Sequence, residues 1–199
     1  MIPHYKEIFQ VRLQFLELAL PTVDGNRWLR SQSIDIAHAT NVAGPIIEME
    51  ITSMPGGIFS FCEHAYGFLA FVMMVFERDA VTPIDFIAWT RDKPRRVYRY
   101  FGYTDALGVD QLYNPATYYD DSGLMIHRCP LDWLFAKCVG SVVLDPIEFR
   151  ERLSASRHEI PQCRIVGETV THARELAQKF NPLPDNVRIF VPASQMVAA

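Results

Sequence analysis

A chain of 199 residues, 49% apolar and 21% charged, is long enough to bury a core and too apolar to be disordered. Its formal net charge of -4 gives no overall attraction to nucleic acids or anionic membranes, so such a partner would need a local basic patch. The longest apolar run, residues 67–76, is too short to cross a bilayer. We expect a single domain over residues 1–199.

The first part of that domain, residues 1–80, is predicted to contain an N-terminal helix and strands. Apolar residues recur at helical spacing over residues 5–20, and a turn is predicted at residues 24–26. Residues 46–52 alternate in part and favour a strand. The continuous apolar run at 68–76 has turn residues on both sides, which favours a buried strand over a buried helix.

Residues 81–192 are predicted to form an α/β half, which begins with a hairpin. Two apolar runs, residues 84–89 and 95–101, are joined by a short polar turn, and this arrangement is typical of a β-hairpin. Thr104 is predicted to cap a short helix that extends to Leu107 and ends at Gly108.

The central stretch of this half, residues 123–146, is predicted to form strand, helix and strand. Pro130 suits the first turn of a helix, and residues 141–145 are a β-branched run that ends at a proline. Two apolar strands joined in this way favour a parallel pair connected by a crossover.

The end of the chain continues this alternation of helices and strands. A short helix is predicted at residues 147–153, a strand at 164–166, a helix beginning at Glu168 or Thr169, and a last strand at 187–191. The fold class that follows is α/β, with α+β as the alternative: a mixed sheet flanked by helices and by the N-terminal helix.

Three segments of the second half, IDFIAW, RYFGYTDALG and IHRCPLDWLFAKCVGSVVLD, carry a resemblance. Over about residues 84–190 the chain resembles a family of small proteins encoded near replication or mobility genes of prophages and integrated elements. The residues most specific to this resemblance are Arg128, Pro130, Leu131, Asp132, Trp133 and Leu134. The resemblance implies a genomic context and no particular chemistry.

Candidate catalytic and metal-binding residues lie in two short segments. Cys62, His64, His127 and Cys129 are all ligand types that zinc accepts. Cys129 also precedes a predicted helix start, where a thiolate nucleophile beside His127 would be stabilised, and Asp145 ends a strand of the same unit. The alternative is that these residues pack or cap secondary structure.

One stretch of the sequence is both basic and aromatic, and we call it the basic–aromatic stretch. Arginines beside tyrosines on a strand can hold phosphates and stack bases, whereas a solvated hairpin is the alternative. Its candidate binding residues are Arg91, Lys93, Arg95, Arg96, Tyr98, Arg99 and Tyr100.

These observations lead to three functional hypotheses. The first is a non-enzymatic accessory or interaction protein of a mobile genetic element, which assists or inhibits a nucleic-acid-handling machine. The alternatives are a metal- or thiol-dependent enzyme that uses the region of His127 and Cys129, and a nucleic-acid-binding accessory protein. A protein partner is therefore expected, with nucleic acid as the second candidate partner, and the oligomeric state is left open.

Cofactor and compartment follow from what the sequence lacks. No phosphate-binding glycine loop is present, so no cofactor is expected. The N-terminus has no basic head followed by an apolar core, and none of the four cysteines forms a C-x-x-C pair. Free thiols and the lack of a signal peptide favour a cytoplasmic protein without membrane contact.

Overall fold

The computed structural model describes residues 5–18, 22–61, 67–79 and 81–191. Helices and strands form an α/β fold, as the sequence predicted. The chain divides into two compact units: Met1–Thr104 with Cys129–Cys138, and Asp105–Arg128 with Val139–Ala199. The single domain over residues 1–199, with parts at 1–80 and 81–192, stays a prediction. Among the described residues, no helix has the length and apolar character needed to cross a membrane.

Seven α-helices and ten strands make up the described part of the chain. The helices are α1 (Tyr5–Leu18), α2 (Val23–Ser31), α3 (Ile36–Ala43), α4 (Val109–Tyr113), α5 (Pro130–Phe135), α6 (Pro146–Ala155) and α7 (Val170–Lys179). The strands are β1 (Ile46–Met54), β2 (Ile58–Phe61), β3 (Phe68–Phe76), β4 (Pro83–Trp89), β5 (Val97–Arg99), β6 (Ala106–Leu107), β7 (Leu124–His127), β8 (Ser141–Val143), β9 (Cys163–Gly167) and β10 (Val187–Phe190). Short 3-10 helices occupy Pro55–Gly57, Pro115–Asp121 and Ser156–His158.

The strands of the first unit close into a five-stranded barrel in the order β1-β2-β5-β4-β3. Neighbouring strands are antiparallel except β2 and β5, which are parallel where they meet. The interior is filled by alternate residues of the strands, such as Ile47 and Ile51 of β1 and Val72 of β3. Helix α1 adds Phe15, which is fully buried with its ring 5.3 Å from that of Phe86.

The outer face of β3 is buried as well. Phe71, Met73 and Val75 alternate with the interior residues and are each at most 2% exposed. Helix α3 packs against β1 and β3. A strand covered on both faces has no polar side, which explains the continuous apolar run and confirms the predicted buried strand.

The hairpin predicted from the two apolar runs is confirmed, because β4 and β5 pair antiparallel. Asp85 in β4 holds the segment that follows β5. Its carboxylate is fully buried and accepts four backbone N–H groups, three of them from this segment. Burial raises the pKa of Asp85, and these four hydrogen bonds oppose the shift. One of the four donors is Thr104, at 3.2 Å.

This contact shows why the helix predicted from Thr104 to Leu107 is wrong. The backbone N–H of Thr104 is bound to Asp85, and Ala106 and Leu107 form β6, which pairs with β8. The helix begins one residue after Gly108, whose φ of 67° ends the extended segment. The helix stop read from Gly108 is therefore a helix start.

The turn predicted at residues 24–26 is also wrong, because these residues lie in the first turns of α2. The Thr22 side chain accepts a hydrogen bond from the N–H of Gly25 at 3.0 Å and caps the helix. Asp24 in the first turn is favoured by the helix dipole. The polar and glycine residues that resembled a turn are thus the start of a helix.

The second unit contains a mixed five-stranded sheet in the order β10-β9-β7-β8-β6. Strands β10, β9, β7 and β8 are parallel and β6 is antiparallel, which confirms the mixed sheet and the parallel pair of the central stretch. The connection between β7 and β8 contains α5, whose residues group with the first unit. Leu124, Ile126, Phe149, Ile165 and Phe180 contribute to the core.

Candidate functional site

A groove of about 960 Å³ opens in the first unit, where β3 begins and β4 and β5 are joined. We call it the β4–β5 groove. Its lining is mostly aromatic and charged, and it combines the carboxylates of Asp24, Glu48 and Asp92 with the cations of Arg27, Arg91, Lys93 and Arg96. The residues that matter below are Thr22, Trp28, Glu48, Phe68, Arg91, Lys93, Arg96 and Tyr98.

A carboxylate–guanidinium pair forms the floor of the groove. Arg91 donates to Glu48 through Nε at 2.6 Å and through a terminal nitrogen at 2.5 Å, and Thr22 donates its hydroxyl to the same carboxylate at 3.3 Å. The Glu48 side chain is only 4% exposed, whereas that of Arg91 is 38% exposed. The hydrogen bonds that Arg91 donates to Glu48 raise the pKa of Arg91 above its ordinary value, against the opposing effect of burial. Because removing either partner would leave a charge uncompensated, the pair is fixed in place.

Two aromatic rings stand beside this pair. The rings of Trp28 and Phe71 stack with centroids 5.1 Å apart and planes at 24°. The guanidinium carbon of Arg91 is 5.6 Å from the Trp28 ring centre and 5.8 Å from that of Phe71. These near-equal distances place Arg91 alongside the stack, because a cation beyond Trp28 would be much farther from Phe71. Arg91 therefore does not cover the face of Trp28 that points away from Phe71.

The groove also holds two further cations, Lys93 and Arg96, together with the carboxylate of Asp92. A hydrogen bond from Thr90 and, more weakly, the charge of Lys93 lower the pKa of Asp92. Arg96 lies 5.1 Å from the ring centre of Tyr98, and Tyr98 packs against Phe68 with centroids 5.7 Å apart. In the part of the chain that the structure describes, neither Lys93 nor Arg96 forms an ion pair with a carboxylate. Both side chains are exposed, so their charge is available to an anionic ligand.

The residues of the basic–aromatic stretch separate into two groups. Arg91, Lys93, Arg96 and Tyr98 line the groove. The others are placed elsewhere: Arg95 is exposed outside the lining, Arg99 donates to the Thr104 carbonyl at 3.0 Å, and Tyr100 packs against Phe59 and Phe61. Residues on a strand alternate between faces, so one continuous stretch cannot supply one surface.

Three groove residues come from parts of the chain that the sequence did not connect with the basic–aromatic stretch. Glu48 lies within the strand predicted at residues 46–52, Phe68 begins the apolar run at 68–76, and Trp28 lies outside the elements predicted above. Glu48 lies between the interior-facing Ile47 and Met49, which is the ordinary alternation of a strand, so no signal in the sequence indicates that its charge is buried. The close approach of α2 depends on Gly25, where an added Cβ would lie 3.0 Å from Cβ of Glu48.

The metal and thiol hypotheses concern a different region. Cys62 and His64 lie outside the described residues. His127 contacts Glu168 through Nδ1 at 3.0 Å and the Val139 carbonyl through Nε2 at 2.9 Å, so both ring nitrogens have protein partners. Within the described ranges, no three His, Cys, Asp or Glu side chains are grouped so that they could hold a metal ion.

The Cys129 thiol is held in its protonated form. It is 2% exposed and its sulfur donates to a carboxylate oxygen of Asp132 at 3.0 Å. Burial, together with this hydrogen bond, raises its pKa to about 12. A cysteine nucleophile needs the opposite shift, so the hypothesis that the helix start activates Cys129 is wrong.

Asp145, the third candidate catalytic residue, caps a helix. Its Oδ1 accepts the backbone N–H groups of Ile147 and Glu148 at 3.1 and 3.2 Å at the start of α6. This geometry is that of an N-cap, which stabilises the first turn and leaves the carboxylate engaged with backbone.

Around His127, a group of charged side chains lies at the ends of β7 and β9. Arg128 donates to Glu175 at 2.9 Å and lies 3.6 Å from Glu168. His172 accepts a hydrogen bond from the Glu168 backbone N–H at 3.3 Å through Nδ1. Burial tends to raise the pKa of Glu168, but His127, His172 and Arg128 lower it overall. Arg128, the two histidines and the two carboxylates contact one another, which is an arrangement for packing rather than for an open site.

Comparisons with known proteins do not assign this chain to a family. No protein-family model matches it, and neither a curated protein sequence nor a solved structure matches it. The resemblance of residues 84–190 to prophage-encoded proteins therefore stays a prediction, and the functional argument depends on the site itself.

Proposed function

We propose that this protein is a non-enzymatic accessory protein that binds nucleic acid through the β4–β5 groove. The observation that carries the proposal is the lining of one groove by the partly exposed ring of Trp28 and by two exposed cations, Lys93 and Arg96, for which the described residues supply no carboxylate ion pair. Phosphates are bound by such cations and bases by such rings. A cytoplasmic location and a role in a mobile genetic element belong to this proposal.

The acidic net charge is compatible with such a function because binding depends on the local field. Among the described residues of the groove, Arg91 pairs with Glu48 and Arg27 pairs with Asp24. Lys93 and Arg96 remain beside the single carboxylate of Asp92, so the cations of the groove slightly outnumber its carboxylates. Two cations give a modest electrostatic contribution, so we expect affinity in the range of an accessory protein and not of a sequence-specific repressor.

The alternative of a thiol-dependent enzyme has less support. Its nucleophile, Cys129, has a raised pKa, and both nitrogens of its proposed base, His127, are bound to other groups. A general base must reach the proton that it abstracts, and the described geometry leaves His127 no free nitrogen.

The proposal is tested by fluorescence anisotropy with a labelled oligonucleotide of mixed sequence. Between about 50 and 200 mM salt, two phosphate contacts to a single strand weaken binding about sevenfold. The double variant Lys93→Gln/Arg96→Gln should bind more weakly and lose this salt dependence.

Arg157→Gln/Arg174→Gln is the matched control, since it removes two exposed cations from the second unit. Equal losses in both variants would show that binding is not located at the groove. If no nucleic acid binds and the wild-type protein instead captures an acidic protein partner that the groove variant loses, the proposal is wrong and the groove is a protein-docking surface.

A further inference from the structure

The ring of Trp28, which is partly exposed and lines the groove, is the feature that bears most on what the groove can accept. Phe71 covers one face of the indole, with the two ring centres 5.1 Å apart. The guanidinium carbon of Arg91 is 5.6 Å from the centre of Trp28 and 5.8 Å from that of Phe71, which places Arg91 at the side of the stack. The Trp28 side chain is accordingly half-buried and borders the groove. A flat apolar surface backed by a second ring is a stacking platform for another planar group.

Arg91 is not available as a phosphate ligand, although it lies in the groove. Moving its guanidinium toward a phosphate would leave the Glu48 carboxylate, which is 4% exposed, without its partner. Arg91 is therefore a positioning residue, which holds the floor of the groove beside Trp28. Arg27, which also lines the groove, pairs with Asp24 at 3.2 Å, so the cations that remain for a ligand are Lys93 and Arg96.

From this arrangement we infer that the groove accepts single-stranded nucleic acid, with one base stacked on Trp28 and its backbone phosphates at Lys93 and Arg96. This inference rests on the proposed function and makes it more specific. In a duplex the faces of the bases are covered by their neighbours, so a tryptophan platform is useful only for an unpaired base. Two cations are also few for a duplex, whose charge density is higher than that of a single strand.

The contact between Arg96 and Tyr98 supports the assignment of Arg96 as a ligand for the phosphates of such a strand. Arg96 lies over the ring of Tyr98, which is 6% exposed, so one side of its guanidinium is already covered. A guanidinium supported in this way presents a plane with donors at its edge. It can hold a phosphate through that edge without losing its contact with the tyrosine.

The experiment compares a thymidine 12-mer with the same strand annealed to its complement, each titrated at about 50 mM salt. Tryptophan fluorescence is recorded together with anisotropy. The chain has three tryptophans, and Trp89 and Trp133 are at most 5% exposed, so quenching by a stacked base reports on Trp28. We expect at least about tenfold tighter binding of the single strand.

The variants Trp28→Leu and Trp28→Phe separate stacking from folding. Trp28→Leu should weaken single-strand binding by about 5- to 150-fold, the range measured for removal of one base-stacking ring, and should abolish quenching. Trp28→Phe keeps a ring against Phe71 and should retain most of the affinity. Circular dichroism spectra that match the wild type show that both variants fold.

The outcomes distinguish this inference from the proposed function. Equal binding of single strand and duplex, lost in Lys93→Gln/Arg96→Gln but unchanged in Trp28→Leu, would overturn the stacking inference and retain a nucleic-acid site. Absence of binding to both probes would overturn both. Tighter binding of the single strand with quenching that Trp28→Leu removes supports both.

Discussion

Two buried carboxylates, one in each unit, are neutralised by an arginine in the same way and serve different purposes. Glu48 accepts two nitrogens of Arg91, and Asp105 accepts two nitrogens of Arg152 at 2.6 and 3.0 Å. Both carboxylates are 4% exposed. The arginines differ: the side chain of Arg91 is 38% exposed and borders a groove, whereas that of Arg152 is 25% exposed.

The surroundings of the Asp105 pair explain its purpose. The Asp105 carbonyl accepts the backbone N–H groups of Leu144 and Asp145 at 2.8 and 3.0 Å, and Arg152 extends from α6. The pair thus joins α6 to the start of β6. Although burial lowers it, the hydrogen bonds and charge of Asp105 raise the pKa of Arg152 overall. The same chemical pair stabilises a fold in one unit and organises a surface in the other.

The largest effect on stability is expected from Arg152→Met. This change leaves the buried carboxylate of Asp105 without its cation, which we expect to lower the free energy of unfolding by about 3 kcal/mol. Urea denaturation followed by circular dichroism measures this loss. Arg150→Met on the same helix removes one exposed hydrogen bond to the Asn181 carbonyl and should cost less than about 1 kcal/mol. Equal losses would contradict a structural role for the Asp105 pair.

A smaller loss is expected from Arg91→Met, because water reaches this arginine. We expect a decrease of about 1–2 kcal/mol in the free energy of unfolding and weaker binding of oligonucleotide. The dependence of binding on salt should not change, since Arg91 neutralises Glu48 and not a phosphate. The exposed neighbour Arg95→Met is the control for stability. A reduced salt dependence in Arg91→Met would show that Arg91 contacts phosphate directly.

A modest effect is expected from Gly25→Ala, which tests how closely α2 approaches β1. The new Cβ would lie 2.6 Å from Oγ1 of Thr22 and 3.0 Å from Cβ of Glu48. Alanine favours helix more than glycine does, so the steric cost must exceed that gain, and we expect a net loss of about 1 kcal/mol. Thermal denaturation measures it. Asn26→Ala, in the same turn, should leave stability unchanged or raise it, and a stabilised Gly25→Ala protein would contradict the close approach.

The smallest effect is expected from titration of His172 in the second unit. Burial, followed by the charge of Arg128, lowers its pKa below the ordinary value of 6.5, whereas Glu168 and Glu175 raise it and Lys179 lowers it further. The unfolded chain therefore takes up the proton first. Stability from this group is present above about pH 6.5 and is lost as the pH falls below that value toward the pKa in the folded protein.

The difference in urea midpoint between about pH 7.5 and about pH 5.5 should therefore be smaller in His172→Gln than in the wild type. Glutamine keeps an acceptor for the Glu168 N–H, which His172 now accepts at 3.3 Å. An identical pH dependence in both proteins would show that other groups account for the loss of stability.

Local pattern alone determined several elements of this protein. The run at residues 68–76, the hairpin of β4 and β5, the parallel pair of β7 and β8 and the capped helix after Thr169 were all predicted. Each depends on side-chain periodicity or on residues within a few positions of one another. Such information is present in the sequence, because it needs no partner from elsewhere in the chain.

Closure of the barrel and assembly of the groove were decided only by the tertiary structure. Strand β1 pairs with both β2 and β3, and β2 meets β5 across a separation of some forty residues, which no local pattern encodes. No local pattern links Glu48 with Arg91, which lie 43 positions apart in the sequence and are joined by a hydrogen bond in the folded protein. The sequence supplied the chemical groups, whereas packing selected which of them share one surface, since contacts between distant residues depend on how the whole chain is folded.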